Sequence, residues 1–118
     1  MIKRIIFALL LLLTPITVNA QTEINMGLFK ITAYCPCQSC SCHYGRHTAS
    51  LKMARSNHTV AVDPSVINVG DKLKVGGKIY YAEDTGGRVI GDTIDIFFDT
   101  HEEVEEFGVK YKNVKIIR

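Results

Sequence analysis

Nowhere does this chain hold the roughly 20 consecutive apolar residues that a membrane-spanning helix needs; its longest apolar run, Ile5 to Leu13, stops far short. It has no run of Lys or Arg either. Fourteen basic residues stand against twelve acidic ones, and two of the basic ones, Lys3 and Arg4, lie at the extreme N-terminus; without them the charges balance. That excludes the basic footprint expected of a protein that binds nucleic acid or an anionic membrane. No cysteine falls outside one eight-residue window, so none is available to staple distant parts of the fold. No serine or cysteine sits in a recognisable nucleophile context, so His43, His47, His58 and His101 do not suggest a triad. Internal repeats and low-complexity segments are absent as well.

The N-terminus carries an export pattern. Lys3 and Arg4 precede the apolar run, and Val18-Asn19-Ala20 supplies small residues for cleavage after Ala20. Residues 1–20 are therefore expected to be a signal peptide, with an uncleaved tether as the alternative. No cysteine follows the apolar run directly, which argues against a lipid anchor. The expected product is an exported, soluble monomer of about 98 residues, located outside the cell, in the wall or in the periplasm. That length suits one domain, here 28–118, preceded by a short polar leader, 21–27.

From Leu28 the apolar pattern comes in short pieces separated by turns: 29–34, 59–62, 72–75, 78–83, 93–98 and 114–117. That is strand spacing. Gly76-Gly77 reads as a two-residue hairpin turn, so the segments on either side should pair antiparallel. Asp63-Pro64, Gly70-Asp71, Gly86-Gly87 and Gly91-Asp92 mark further reversals. One helix is clearly signalled: Thr100 as N-cap, Glu103 three residues on, Val104 and Phe107 as an apolar face, and Gly108 as the stop. Six short strands with one or two helices predict a mainly β protein closed into a small barrel, which removes exposed edges. The unpatterned stretch from Pro36 to Asn57 should form a long loop over one barrel mouth.

Three aspartates stand at strand ends or inside strands: Ala-Val-Asp63-Pro, Glu-Asp84-Thr-Gly-Gly and Thr-Ile-Asp95-Ile-Phe-Phe. Asp95 lies within a strongly apolar strand. If buried there it favours the neutral, proton-donating form, which suits general-acid chemistry. The simpler readings are that alternation puts Asp95 on a solvated face, and that Asp63-Pro64 and Asp84-Thr-Gly are turn chemistry.

Cys35, Cys37, Cys40 and Cys42 are expected to form local disulfides, as an exported chain favours, with no metal and no cofactor. Cys37-Gln-Ser-Cys40 has metal-ligand spacing, with His43 and His47 following, so zinc is one alternative and free thiols the other. Asp84-Thr85-Gly86 also matches the short core motif of aspartic proteases. Against that reading, Glu83 precedes it where an apolar residue should stand, and Val89-Ile90-Gly91 follows too soon. Glu102, Glu103, Glu105 and Glu106 read as the solvated, dipole-favoured start of the helix.

The series Thr32-Ala-Tyr34-Cys35-Pro36-Cys37, Thr59-Val-Ala-Val-Asp63-Pro-Ser-Val-Ile, Tyr81-Ala-Glu-Asp84-Thr-Gly-Gly, Gly91-Asp92-Thr-Ile-Asp95-Ile-Phe-Phe and Phe107-Gly108 closely resembles the three-aspartate, or 3D, domain. That family occurs in bacterial cell-wall proteins and is related to the catalytic barrel of membrane-bound lytic transglycosylase A. The resemblance implies a double-psi β-barrel with Asp63, Asp84 and Asp95 as the named aspartates. It implies Asp95 as the acid/base that cleaves peptidoglycan glycan strands with release of 1,6-anhydro products. Asp63 and Asp84 then shape the groove and tune Asp95, while Tyr34, Thr48 and Thr85 contact substrate. Where many members have glycine after Thr-Ala-Ser/Thr, this chain has Leu51, a residue that does not take positive φ cheaply. A barrel that binds wall polysaccharide without cutting it is the alternative implied by that departure.

Overall fold

The computed structural model describes residues 21–118 together with Pro15. The expected signal peptide and its cleavage site thus lie outside the described residues. Six strands, β1 (Glu23–Tyr34), β2 (Thr59–Val62), β3 (Lys72–Val75), β4 (Lys78–Asp84), β5 (Thr93–Phe97) and β6 (Lys110–Ile117), close into a barrel in the order β1-β5-β2-β4-β3-β6. Among the described residues two short helices, α1 (Gln38–Ser41) and α2 (His101–Phe107), accompany the barrel. The pairs β1/β5 and β2/β4 run parallel and the other four antiparallel, so the chain crosses over itself twice before closing. This is the expected mainly β, six-stranded double-psi barrel.

Alternation fills the interior. Phe29 and Ile31 of β1, Val60 and Val62 of β2, Leu73 and Val75 of β3, Ile94 and Ile96 of β5, and Val114 and Ile116 of β6 are buried in one cluster with Tyr80 and Ala82 of β4. Each strand contributes every second residue, as a pleated wall around a dry core requires. Gly76 and Gly77 turn β3 into β4 with φ of 55° and 89°, the double positive φ of a tight hairpin. α2 is capped as its sequence predicts: the Thr100 hydroxyl accepts from the Glu103 backbone N–H at 3.3 Å, and Gly108 ends it at φ 65°. Phe107 packs α2 against the barrel through Phe98, with ring centroids 5.3 Å apart.

The leader expected over 21–27 is instead part of the barrel. β1 begins at Glu23 and pairs with β6 as far as Ile117, with a register shift between Asn25 and Gly27, where Gly27 takes φ 88°. Met26 packs against the core from this stretch, while on the solvated face the Glu23 carboxylate meets Lys74 Nζ at 2.9 Å and Lys115 Nζ at 3.4 Å. Thr22 and Arg118 close the two ends with reciprocal backbone hydrogen bonds of 2.8 and 2.9 Å.

Ile94 is fully buried between two strand neighbours. Ile94→Ala should lower the unfolding free energy by about 2–5 kcal/mol, through lost transfer energy and an unfilled cavity, as read by urea denaturation.

Candidate functional site

The outer face of the barrel wall carries a second, smaller apolar cluster: Tyr34, Ala54, Ala61, Val89 and Phe97, with Cys40 packed against it. Above this floor lies a cleft of about 510 Å³ lined by Tyr34, Thr48, Ala49, Asp84, Thr85 and Asp95 among others. Its roof is the loop 36–57. The loop therefore covers the outside of the β1-β5-β2-β4 wall rather than a barrel mouth, because the residues beneath it are those whose pleat points away from the interior.

Strand register assembles the site. In successive pairings Thr32 on β1 faces Asp95 on β5, Asp95 faces Ala61 on β2, and Ala61 faces Asp84 on β4. One row thus carries a hydroxyl, a carboxyl, a methyl group and a second carboxyl. With one strand between them, the Cα atoms of Asp95 and Asp84 stand roughly 9–10 Å apart, two strand spacings. Ala61 leaves the space between them open. A register shift between Val60 and Ala61 brings Asp84, rather than Glu83, opposite Ala61. The shift lets two successive acids leave the barrel interior in different directions.

Asp95 occupies the floor. Ile94 and Ile96 on either side enter the core, so alternation does send Asp95 outward, but the outside here is the roofed cleft and the side chain is half-buried. Burial pushes its pKa up to about 6; the Thr32 hydroxyl, donating to Oδ1 at 2.9 Å, pulls the other way, and the charge of Asp84 raises it further. Asp84 is held by three donors: the Tyr34 hydroxyl to Oδ2 at 2.9 Å, and the backbone N–H groups of Ala49 at 3.0 Å and Thr85 at 2.9 Å to Oδ1. It fastens the roof loop to the end of β4 and fixes Tyr34, whose own pKa is raised, first by burial and then by the Asp84 charge. Tyr34 in turn meets Phe97 edge to face at 5.3 Å.

Asp63 departs from expectation, because it does not line the cleft. Its Oδ1 accepts from the backbone N–H of Ser65 at 2.9 Å and the Ser65 hydroxyl at 2.7 Å, and its Oδ2 from the Gly91 N–H at 2.7 Å. The Gly91 bond, followed by those from Ser65, holds this carboxyl below the usual range. Asp63 locks the turn after β2 to the turn before β5, and so fixes the strand that bears Asp95. Tyr34, Thr48 and Thr85 line the cleft. The Thr48 hydroxyl is committed to the Lys52 carbonyl at 2.6 Å and faces Ser50 Oγ at 3.0 Å, which shapes the roof.

Leu51 keeps the backbone geometry that glycine would give. It sits at φ 70° with its side chain 95% exposed. The loop conformation therefore survives the missing glycine at the cost of strain, held by the Ser50 N–H to the Glu83 carbonyl at 3.1 Å and the Leu51 N–H to the Thr48 carbonyl at 3.1 Å.

Sequence reasoning missed Thr32 as the partner of Asp95, Ala61 as the floor and Glu83 as a buried acid. Glu83 accepts from the Thr59 hydroxyl at 2.7 Å and lies 3.6 Å from Lys52 Nζ and 3.5 Å from His58 Nε2. The disulfide expectation is also corrected. All four cysteines are free; the Cys35 and Cys37 sulfurs stand 3.1 Å apart, beyond the about 2.05 Å of a disulfide, and Cys42 lies exposed.

Comparison with known proteins places this geometry. The 3D domain profile matches residues 58–118. YabE of Bacillus subtilis, named for a role in cell wall shaping, is 38% identical over 88 residues, 73% of this chain and 21% of that protein. The cell wall-binding protein YocH of Bacillus subtilis is 40% identical over 62 residues, 49% of this chain and 21% of that one. The chain thus spans about a fifth of the length of these curated relatives. Among solved structures, the lytic transglycosylase MltA from Escherichia coli matches with a TM-score of 0.54 and 24% identity over 61% of this chain and 27% of that one. A second crystal structure of MltA gives 0.52 and 22% over 61% and 27%. At these identities the likeness to MltA is one of fold.

Two measurements test the site's energetics. Replacing Leu51 with glycine relieves about 1–2 kcal/mol of left-handed strain against about 0.5–1 kcal/mol of added unfolded-chain freedom, so Leu51→Gly should be neutral or stabilise by up to about 1.5 kcal/mol. Thermal and urea unfolding read this directly. Asp95 has a folded-state pKa near 6 against an ordinary 3.8, so the folded protein binds this proton more tightly than the unfolded chain does. The associated stability is full below the ordinary value and is lost as pH rises through the folded one. Asp95→Asn should abolish that dependence and exceed the parent at neutral pH by about 1–2 kcal/mol, in urea unfolding across pH 4 to 7.

Proposed function

The chain belongs to the 3D domain family, and from that premise we propose that it cleaves the glycan strands of peptidoglycan outside the cytoplasmic membrane, as a lytic transglycosylase with Asp95 as acid/base. The observation that carries this reading is one carboxyl, with its pKa near 6, on the floor of a roofed cleft and beside a hydroxyl donor. The cleft's 510 Å³ falls within the range of about 300–1,000 Å³ usual for small-ligand sites. Relatives named for wall shaping and wall binding, and the shared fold with MltA, support a wall glycan as the partner.

The chemistry needs one group that gives a proton and takes one back. Neutral Asp95 protonates the glycosidic oxygen as its bond to the anomeric carbon of the muramic residue breaks. The 6-hydroxyl of that same residue then attacks the anomeric carbon and yields its proton to the Asp95 carboxylate. The products are a free 4-hydroxyl and a 1,6-anhydro ring, and no water is consumed. Hydrolysis would instead require a second carboxylate to activate water or attack the sugar. Asp84, the second carboxylate of the cleft among the described residues, already accepts three hydrogen bonds and is better suited to holding the roof and biasing Asp95.

A second reading, binding without cleavage, is favoured by the cell wall-binding relative YocH. Digestion of purified sacculi followed by mass spectrometry separates the two. Cleavage predicts anhydro-muropeptides, a rate that falls as pH rises through about 6, and a loss of about 100-fold or more in Asp95→Asn. Anhydro products undiminished in that variant would remove Asp95 from the chemistry. Retention on insoluble sacculi with no soluble product would establish the binding reading instead.

A further inference from the structure

Among the described residues, Cys35, Cys37, Cys40 and His101 bring one ligand atom each to a common point, all four within 4.8 Å of one another. The three cysteines follow β1 directly, while His101 opens α2 more than sixty residues later. The two elements therefore meet at this cluster only through the tertiary fold. The His101 Nδ1 atom lies 3.6 Å from the Cys35 sulfur, 3.5 Å from the Cys37 sulfur and 3.5 Å from the Cys40 sulfur. Bonds of about 2.3 Å to sulfur and about 2.0–2.1 Å to nitrogen, at tetrahedral angles, place the two kinds of ligand atom about 3.5 Å apart. All three measured separations meet that value.

We propose that Cys35, Cys37, Cys40 and His101 form a structural zinc site that ties the roof of the cleft to α2. Three thiolates with one imidazole, arranged tetrahedrally, are the ligand set that selects zinc over hard cations, and four protein ligands leave no open position for catalysis. The far nitrogen of the imidazole is also engaged: His101 Nε2 faces Glu105 Oε1 at 3.4 Å, one turn along α2. A carboxylate behind the metal-binding histidine fixes its ring orientation and strengthens its lone pair. Ser39 Oγ stands 3.2 Å from the Cys37 sulfur, and the Ser41 hydroxyl donates to the Cys35 carbonyl at 2.6 Å, so the loop is already shaped around the sulfurs. Cys42 takes φ 52° at the end of α1 and stands outside the set.

The site has a structural task. Cys40, Ser41 and Cys42 line the cleft, yet α1 buries none of its residues. Apolar contact alone holds this wall weakly. A metal bridge from the loop to α2 supplies the missing attachment, and because protein ligands fill all four tetrahedral positions, it does so without entering the chemistry of the cleft.

The test is metal analysis of the protein purified from zinc-supplemented medium, with thiols counted after denaturation and chelation without reductant. Stoichiometric zinc and four free thiols are expected. His101→Ala should lose the metal, Cys42→Ser should keep it, and His101→Cys should retain it through a fourth sulfur. Glu105→Gln should weaken zinc affinity by about ten-fold. In the parent, chelation should lower the melting temperature; in His101→Ala it should not. Two disulfides in the freshly purified protein, zinc content unaffected by His101→Ala, or iron in place of zinc would each overturn the assignment. None of these readouts depends on glycan cleavage, so the two proposals stand or fall separately.

Discussion

The pleat of β5 is the constraint from which the site follows. Ile94 and Ile96 must both enter a barrel whose interior is already filled from every strand, so Asp95 between them can only face outward. Its neighbours are then fixed by hydrogen-bonding register: Thr32 on one side, Ala61 on the other, and Asp84 one strand further. No loop has to find these partners. The roof loop adds only the exclusion of water, and that exclusion turns an ordinary surface aspartate into one with a raised pKa. Sheet packing thus sets position, and loop packing sets protonation.

Division of labour among the three aspartates follows from where their lone pairs go. Asp63 is saturated by the turn it closes, Asp84 by the roof and by Tyr34, and Asp95 has one donor, Thr32. A carboxyl with unspent acceptor capacity in a sheltered cleft is the one free to exchange a proton with a ligand. The other two act through position: one steadies the strand entry, the other steadies the lid and contributes its field. Local wording makes the three look equivalent, and hydrogen bonding makes them unequal.

Much of the barrel was legible because its signals are local. The six strands, the Gly76-Gly77 hairpin and the Thr100-capped helix each announce themselves within a few residues. β1 was read too short because its first stretch of pairing, from Glu23 to Gly27, alternates polar residues with Ile24 and Met26, ends in a glycine, and depends on Lys74 and Lys115 arriving from other strands. Asp95 was legible from its apolar flanks, whereas Thr32 was not, since a parallel pairing between β1 and β5 leaves no trace in either segment. His101 was invisible as a partner of the cysteines for the same reason. Nearby His43 and His47 drew attention by sequence proximity, but chain topology delivers the more distant histidine. Leu51 was rightly marked as a residue unsuited to positive φ, yet hydrogen bonds on both sides of it enforce that geometry anyway.

The reciprocal hydrogen bonds between Thr22 and Arg118 carry a different kind of consequence. They set Thr22 and Arg118 side by side, at the opposite end of the twelve-residue β1 from Tyr34 and the cleft. A domain with adjoining ends can be spliced into a longer polypeptide, or have its ends joined and a new break opened in a surface turn, without disturbing the barrel's strand order. Any tether attached there also leads away from the cleft. With Thr22 and Arg118 paired, both strands that carry the chain into and out of the barrel leave from one place, so a single attachment point serves both.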